Sequence, residues 1–417
     1  MKTLFVVFSY KYPYEPPTEQ FLHMEMPYLD CDNVDICIVP YARNRHADKT
    51  YPISDRIQVK PLKRKRLSDI LLGVWGTMSR LGSIFRELQE IKKSVSPTKR
   101  RAAQKTMLRQ CIQAQMFRLR LKKHLKTSEL KEYDKVVLYT YWLDSMSLAI
   151  TEYKHYLKKK GIGSVVAISR THGQGDLYIE EIPEAYRPFG RLLANGLDRI
   201  FSISEQGMVH LRERDITNVS ICRLGVETSK QISAEKNDEV PLIVSCSVVN
   251  ENKRVGEIAK AISKLSLPQI KWVHFGGGEK LDELRTWCES NMPTSVSWEL
   301  RGWTAHDDVM QYYAEHSPDA FINLSCVEGI PVSIMEAMSY AIPCIATDVG
   351  ASAEIVMDGK NGYLVPREFE ITDVVTALTR LITEEHKKTK ECAYNTWCDL
   401  YNAKNNFESF AAEALQL

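Results

Sequence analysis

The sequence has no long hydrophobic run. Its nearest approach to one, "ILLGVWG" at 70–76, falls far short of the roughly 18 apolar residues that cross a bilayer, so no membrane span is predicted. The opening "MKTLFVVFSYKYP" has five consecutive apolar residues before Ser9, too few for a secretory signal core, and reads as a first buried strand. None of the ten cysteines forms a C-x-x-C pair, and no histidine cluster has metal-ligand spacing. Thiols scattered in this way through a long chain indicate a reducing compartment and small core residues rather than a disulfide framework. Internal repeats and low-complexity tracts are missing as well. A cytoplasmic location is the expectation these absences leave.

What is present is enough for two cores. At 417 residues and 44% hydrophobic composition, the chain exceeds the limit of about 250–300 residues for a single core. Apolar, β-branched runs at 4–10, 34–40, 135–141, 164–170 and 198–204 alternate with helical patterns, and the alternation restarts at 241–249, 270–278, 295–302, 319–325 and 342–348. Near-continuous apolar strands separated by helices predict parallel sheets covered on both faces. The polar stretch at 226–240 reads as a linker. The fold class expected is α/β, two doubly wound Rossmann-like domains facing a central cleft. Their bounds would be 1–225 and 226–404, with a last helix at 405–417 packing back on the first. Ligands in such sheets bind beyond the carboxyl ends of the strands, so function is sought on those loops.

The net charge of +2 hides a segregation. Residues 60–126 hold 19 Lys and Arg against Asp69, Glu87 and Glu90, a balance of +16, while the remainder carries −14. Within that segment Leu67, Ile70, Leu71, Val74, Trp75, Met78, Leu81, Phe85 and Leu88 recur at helical spacing. Two readings stay open: a basic amphipathic helix lying on an anionic membrane surface, or an ordinary helix whose stripe faces the core. Nucleic acid is not expected as a partner, since Trp75, Phe85 and Phe117 alone could stack on bases and no binding motif accompanies them.

The stretch most dense in chemistry is "SCVEGIPVSIMEAMSYAIPCIATDVG" at 325–350, where Glu328 and Glu336 stand eight apart. Glu328 follows a strand, Pro331 suits the first position of the next helix, and Glu336 falls in that helix's second turn. Gly329 permits close backbone approach, and the amides from Gly329 through Ile330 and Val332 to Ser333 form a helix N-terminus suited to a diphosphate. A carboxylate on each side could accept hydrogen bonds from vicinal hydroxyls, one pair on a hexose and the other on a ribose. A glutamate near a helix start also complements the helix dipole, so a purely structural role for Glu328 stands beside the functional one. "DCD" at 30–32 has the D-x-D form of a metal–diphosphate motif but precedes a strand, and reads as a turn.

The full run of strand, Glu-Gly, Pro, helix, Glu-Ala-Met, "PCIATDVG" and "EIVMDGKNGYLV" resembles the donor-site signature of the retaining glycosyltransferases of family 4. That family has the two-domain GT-B fold and the E-x7-E motif. The resemblance covers about 241–366 closely and the upstream half more loosely. It implies that Glu328 and Gly329 touch the transferred sugar and that Glu336 holds the ribose. "SCSVVNENKRVGEIAKAI" resembles the family's first donor-domain strand, loop and helix, with Lys253 neutralising the diphosphate. The family's usual Arg is absent at Ser247 and Val248, which places more of the load on Lys253 and Arg254. "HFGGGEKLDEL" supplies Gly276 and Gly277 at the nucleotide. "LRGWTAHDDVMQYY" sets Gly302 and Trp303 near the base, although burial of Trp303 in the core is an alternative. His172, in "ISRTHGQGDLY" with Arg170 and Asp176, matches a family histidine that reaches the sugar. "SYKYPYEPPTEQF" replaces a Gly-Gly acceptor loop and offers Thr18 and Glu19 as acceptor contacts.

The implied activity is transfer of a sugar from a UDP or GDP sugar to a glycan or lipid-linked glycan acceptor, with retention and without a metal, in bacterial polysaccharide or O-antigen synthesis. A nucleotide-sugar 2-epimerase on the same fold and a catalytically degenerate sugar-nucleotide-binding protein are the alternatives.

Overall fold

The computed structural model describes residues 1–16, 18–41, 50–62, 67–173, 188–228, 240–383 and 386–417. They form two compact units, Met1–Arg223 together with Phe407–Leu417, and Leu224–Asn406. Residues 229–239 of the expected linker lie outside the described residues.

The first unit is built on β1 (Thr3–Ser9), β2 (Val34–Pro40), β3 (Gln58–Val59), β4 (Lys135–Thr140), β5 (Ser164–Thr171), β6 (Arg199–Ser202) and β7 (Val219–Ile221). Every neighbouring pair is parallel, in the order β3-β2-β1-β4-β5-β6-β7. All residues of β1 and β4 are buried, as a strand covered on both faces requires. The chain works outward from β1 and then returns to β4, so the loops leaving β1 and β4 diverge at the carboxyl edge. Such a reversal is where doubly wound sheets open a crevice for ligands.

The second unit repeats this plan with β8 (Leu242–Cys246), β9 (Ile270–Phe275), β10 (Val296–Leu300), β11 (Ala320–Asn323), β12 (Cys344–Thr347) and β13 (Gly362–Val365), ordered β10-β9-β8-β11-β12-β13. Its reversal falls between β8 and β11. Each of the ten apolar runs forms a strand. The three strands without a readable pattern, β3, β7 and β13, are two to four residues long and sit at sheet edges, too short to show periodicity.

Helix α1 (Gln20–Leu29) buries Leu22, Glu25, Met26 and Leu29 on the first sheet. Glu25 meets Arg170 of β5, and both side chains are fully buried. The Arg170 guanidinium also lies 4.3 Å over the Phe410 ring and donates to Cys222 Sγ. Phe410 belongs to the helix Ala403–Gln416 and packs 5.2 Å from Tyr139 and 4.9 Å from Phe201, with Ala411 and Ala414 buried beside it.

The basic segment forms α2 (Leu67–Met78), α3 (Leu81–Ser94) and α4 (Arg100–His124). Of the apolar stripe on α2, Ile70 packs against the core and the other members are exposed. The buried residues of α2 are Gly73 and Thr77, and a Cβ at Gly73 would lie 3.0 Å from the Ile112 carbonyl oxygen of α4, while one at Gly76 would lie 3.3 Å from Gln115. The backbones approach on this small-residue face, which turns Leu67, Leu71, Val74, Trp75 and Met78 outward. Arg80, between α2 and α3, reaches Glu152 at 2.7 Å, and Arg118 of α4 meets the same carboxylate at 3.1 Å, fixing the helical pair to the domain.

Removing one partner of the Glu25–Arg170 pair strands a charge in a fully buried site. Arg170→Met is therefore expected to cost about 3–5 kcal/mol in urea unfolding. The double change Glu25→Leu with Arg170→Met should recover most of that loss.

Candidate active site

At the β8–β11 reversal, the loops leaving the two strands are stitched together by backbone and side-chain bonds. The Cys326 amide donates to the Asn252 carbonyl at 2.8 Å, and Asn252 donates to the Val327 carbonyl. This brings Lys253 Nζ to 2.5 Å from Glu328 Oε1. Asn323, at the end of β11, donates to the same oxygen at 3.3 Å, and its own carbonyl accepts from the Ser325 amide and hydroxyl. Glu328 is only 9% exposed, and a buried carboxylate needs such compensation. Arg254 takes another course. It donates to the carbonyls of Leu324 (2.7 Å), Arg367 (2.9 Å) and Ser325 (3.1 Å) and lies over the Phe369 ring. Its guanidinium thus holds together the loops on which its donor contact was expected.

The helix Val332–Ser339 begins directly after this cluster, with Pro331 in extended conformation at its cap rather than inside its first turn. A helix start leaves first-turn amides without intrahelical acceptors, so Val332 and Ser333 present donors beside Gly329 and Ile330. Ile334, Met335 and Met338 are fully buried and turn Glu336 to the opposite face. There Glu336 Oε1 lies 3.0 Å from His306 Nε2. That hydrogen bond raises the His306 pKa above its ordinary value, opposed by partial burial. The Gly329 carbonyl accepts from Ala351, and a Cβ at Gly350, whose φ is +55°, would collide with the Glu328 carbonyl oxygen.

The glycine turn after β9 is equally tight. The Gly276 amide donates to the Gly302 carbonyl at 2.8 Å, and a Cβ on Gly276 would collide with the Ser247 carbonyl oxygen. Ser247 is thus close through its backbone. Trp303 is 77% exposed, which rules out core burial. A Cβ on Gly277 would come within 2.6 Å of its indole nitrogen, so glycine lets the ring lie across the turn. Ser247, Gly276, Gly277, Gly302 and Trp303 therefore form one neighbourhood.

In the first unit, His172 follows β5 and packs at a tilt against Tyr141 (ring centroids 4.2 Å apart) and Trp142 (4.6 Å), both just past β4. Its Nε2 lies 2.9 Å from the Tyr141 carbonyl, which fixes the tautomer as Nε2–H. Burial, then the nearby Arg170 charge, hold its pKa well below the ordinary histidine value, so the ring is neutral at pH 7. Asp176 lies outside the described residues. Glu19 is committed to its own loop: its carboxylate accepts from the amides of Tyr10, Lys11 and Tyr12, each at 2.7 Å, and from Trp142 Nε1 at 2.9 Å. The Thr18 hydroxyl donates to the Glu15 carbonyl at 2.7 Å. These two residues shape the loop that was expected to present them to an acceptor.

Asn323, His306 and Gly350 were not singled out in the sequence. Only Gly350, in "DVG" after a strand, carried a signal, since that position favours a turn needing positive φ. Among the described residues, no three His, Cys, Asp or Glu side chains group so as to hold a metal ion, and no helix is long and apolar enough to cross a membrane.

Two parallel doubly wound domains with loop sites at their carboxyl edges define a GT-B fold, and solved structures agree along the whole chain. The lipopolysaccharide outer core galactosyltransferase WaaB superposes with a TM-score of 0.65 at 16% identity, covering 99% of both chains. Anabaena HepE in complex with UDP gives 0.61 at 14%, covering 100% of both. Residues 226–397 match the family described as "Glycosyl transferases group 1". Among curated proteins, the Escherichia coli UDP-Gal:alpha-D-GlcNAc-diphosphoundecaprenol alpha-1,3-galactosyltransferase is 28% identical over 130 residues, 31% of this chain and 32% of that one. The lipopolysaccharide 1,6-galactosyltransferase of E. coli K12 is 31% identical over 137 residues, 32% of this chain and 36% of that one. The chain thus spans about a third or less of the length of the first curated relatives it matches.

The raised His306 pKa has a signed consequence. Stability from the His306–Glu336 pair is fully present below the unfolded histidine value near pH 6.5 and is lost as pH rises through the folded value. Because His306 is half exposed, the effect is expected to be under about 1 kcal/mol. Thermal melts across pH 6–9 should show it as a small decline that His306→Gln removes.

Proposed function

We propose that the protein is a retaining glycosyltransferase of the family 4 type, moving a sugar from a nucleoside diphosphate donor to a glycan or lipid-linked glycan acceptor. The observation that carries this reading is the Lys253–Glu328–Asn323 cluster at the start of the helix that bears Glu336, inside the group 1 segment. The names of the relatives, two of them bacterial galactosyltransferases of lipid-linked or lipopolysaccharide glycans, support a UDP-type donor and a place in cytoplasmic surface-polysaccharide or O-antigen assembly.

In this reading the diphosphate sits on the first-turn amides and draws Lys253 from Glu328, since a phosphate carries more charge than one carboxylate. Glu328, released, accepts from sugar hydroxyls, while Glu336 exchanges His306 for the ribose hydroxyls. Trp303 lies beside the base. Transfer breaks the bond between the sugar's anomeric carbon and the phosphate oxygen and forms the bond to the acceptor oxygen on the same face. The acceptor's proton passes to the leaving phosphate, so a nucleoside diphosphate is released and no metal or protein nucleophile is required. The sugar gains positive character at the transition state. Glu328 opposes that charge with its own.

The test begins with thermal-shift titration by UDP, GDP and ADP. A ligand at 100 times its Kd adds about 2.7 kcal/mol of stability. UDP should stabilise the native protein, and Lys253→Ala and Glu336→Ala should each weaken the shift. No shift with any nucleotide at millimolar concentration would sink the donor site. In turnover, Glu328→Gln is expected to lower kcat about hundredfold or more while UDP binding persists. Product NMR then reads the anomeric configuration, and inversion or a trapped sugar–enzyme adduct would contradict the mechanism.

A further inference from the structure

We propose that the outward face of α2 and α3 docks this protein on an anionic lipid bilayer. On α2, Leu67, Leu71, Trp75 and Met78 are each more than 60% exposed, and on α3 so are Leu81 and Phe85. Contiguous apolar surface of this kind on a soluble-sized domain marks an interaction site. The packing supplies a reason for it. The small-residue face of α2 is used against α4, so most of the apolar face is left outward.

The charge around the face selects the occupant. Residues 67–94 are themselves close to neutral, four Lys and Arg against Asp69, Glu87 and Glu90, and the cations flank the face: Arg101, Lys105 and Arg109 are exposed on α4, with Arg86 and Lys92 exposed on α3. Between α2 and α4 runs an apolar groove of about 370 Å³ lined by Ile70, Leu108, Ile112 and Met116, with Lys105 and Arg109 also on its wall. Hydrocarbon beside cations matches a phospholipid, whose acyl chain and phosphate have the same adjacency. A second copy would place the exposed cations of α4 beside those of its partner, which disfavours self-association through this face. Nucleic acid would satisfy the cations and leave Leu67, Leu71 and Met78 unmatched.

The surface is separate from the donor-site residues, so it is tested independently of them. The full-length protein is floated with vesicles of phosphatidylcholine alone and of phosphatidylcholine with phosphatidylglycerol. Recovery with the anionic vesicles should exceed that with the neutral ones about tenfold and should fall as salt is raised. Leu71→Glu with Trp75→Glu, at exposed positions the fold does not need, should reduce anionic flotation about tenfold or more while UDP-induced thermal shift and circular dichroism stay unchanged. Charge reversal at Lys105 and Arg109 should lower it without changing the melt. Equal recovery with both vesicle types, no recovery with either, or a dimer in sedimentation that the Glu pair dissolves would each overturn the proposal.

Discussion

The candidate donor site rests on backbones meeting backbones. Where the loops after β8, β9, β11 and β12 converge, Gly276 leaves room for the Ser247 carbonyl and Gly350 for that of Glu328. A methyl group at either point would push the loops apart. With them together, Lys253 meets Glu328, and the helix that follows starts at a fixed place beside both. Charge is then arranged by geometry that the side chains themselves do not set, and Arg254 adds a clamp by binding three carbonyls across the same loops. Such support allows a buried carboxylate to be held ready, because its compensating partners cannot drift.

The two units use one plan for different chemical ends. In the second unit the reversal point gathers a cation, two carboxylates and open amides, the inventory that suits an anionic ligand. In the first, the equivalent edge gathers aromatic rings around an uncharged imidazole, with Glu19 neutralising three loop amides that would otherwise attract an anion. One edge concentrates charge and the other aromatic surface.

The sequence made the architecture legible because buried parallel strands write themselves as long apolar runs, and ten of thirteen are visible that way. Glu328, Glu336 and Lys253 were legible as individual residues of a known pattern. Their pairing was not, because Lys253 and Glu328 are 75 positions apart and only the reversal joins them. The partners of Arg254 and Glu19 were hidden for a related reason: a charged side chain on a loop looks the same in sequence whether it awaits a ligand or holds carbonyls and amides. On α2 the period of the stripe was correct, yet periodicity gives two faces and does not say which is buried. Gly73 and Gly76 decide that, through a closeness of approach that hydrophobicity scales do not register.

The C-terminal helix has a consequence for how the molecule is made. Phe407–Leu417 complete the first unit, and Phe410 covers Tyr139, Phe201 and the Arg170 guanidinium. A chain emerging from the ribosome completes the first sheet long before that cover exists, since the whole second unit is synthesised in between. The first unit is therefore completed only after the second has been made. The Glu25–Arg170 pair stays incompletely sealed until the final turns of helix arrive, so the second unit has time to fold on its own before the first can close.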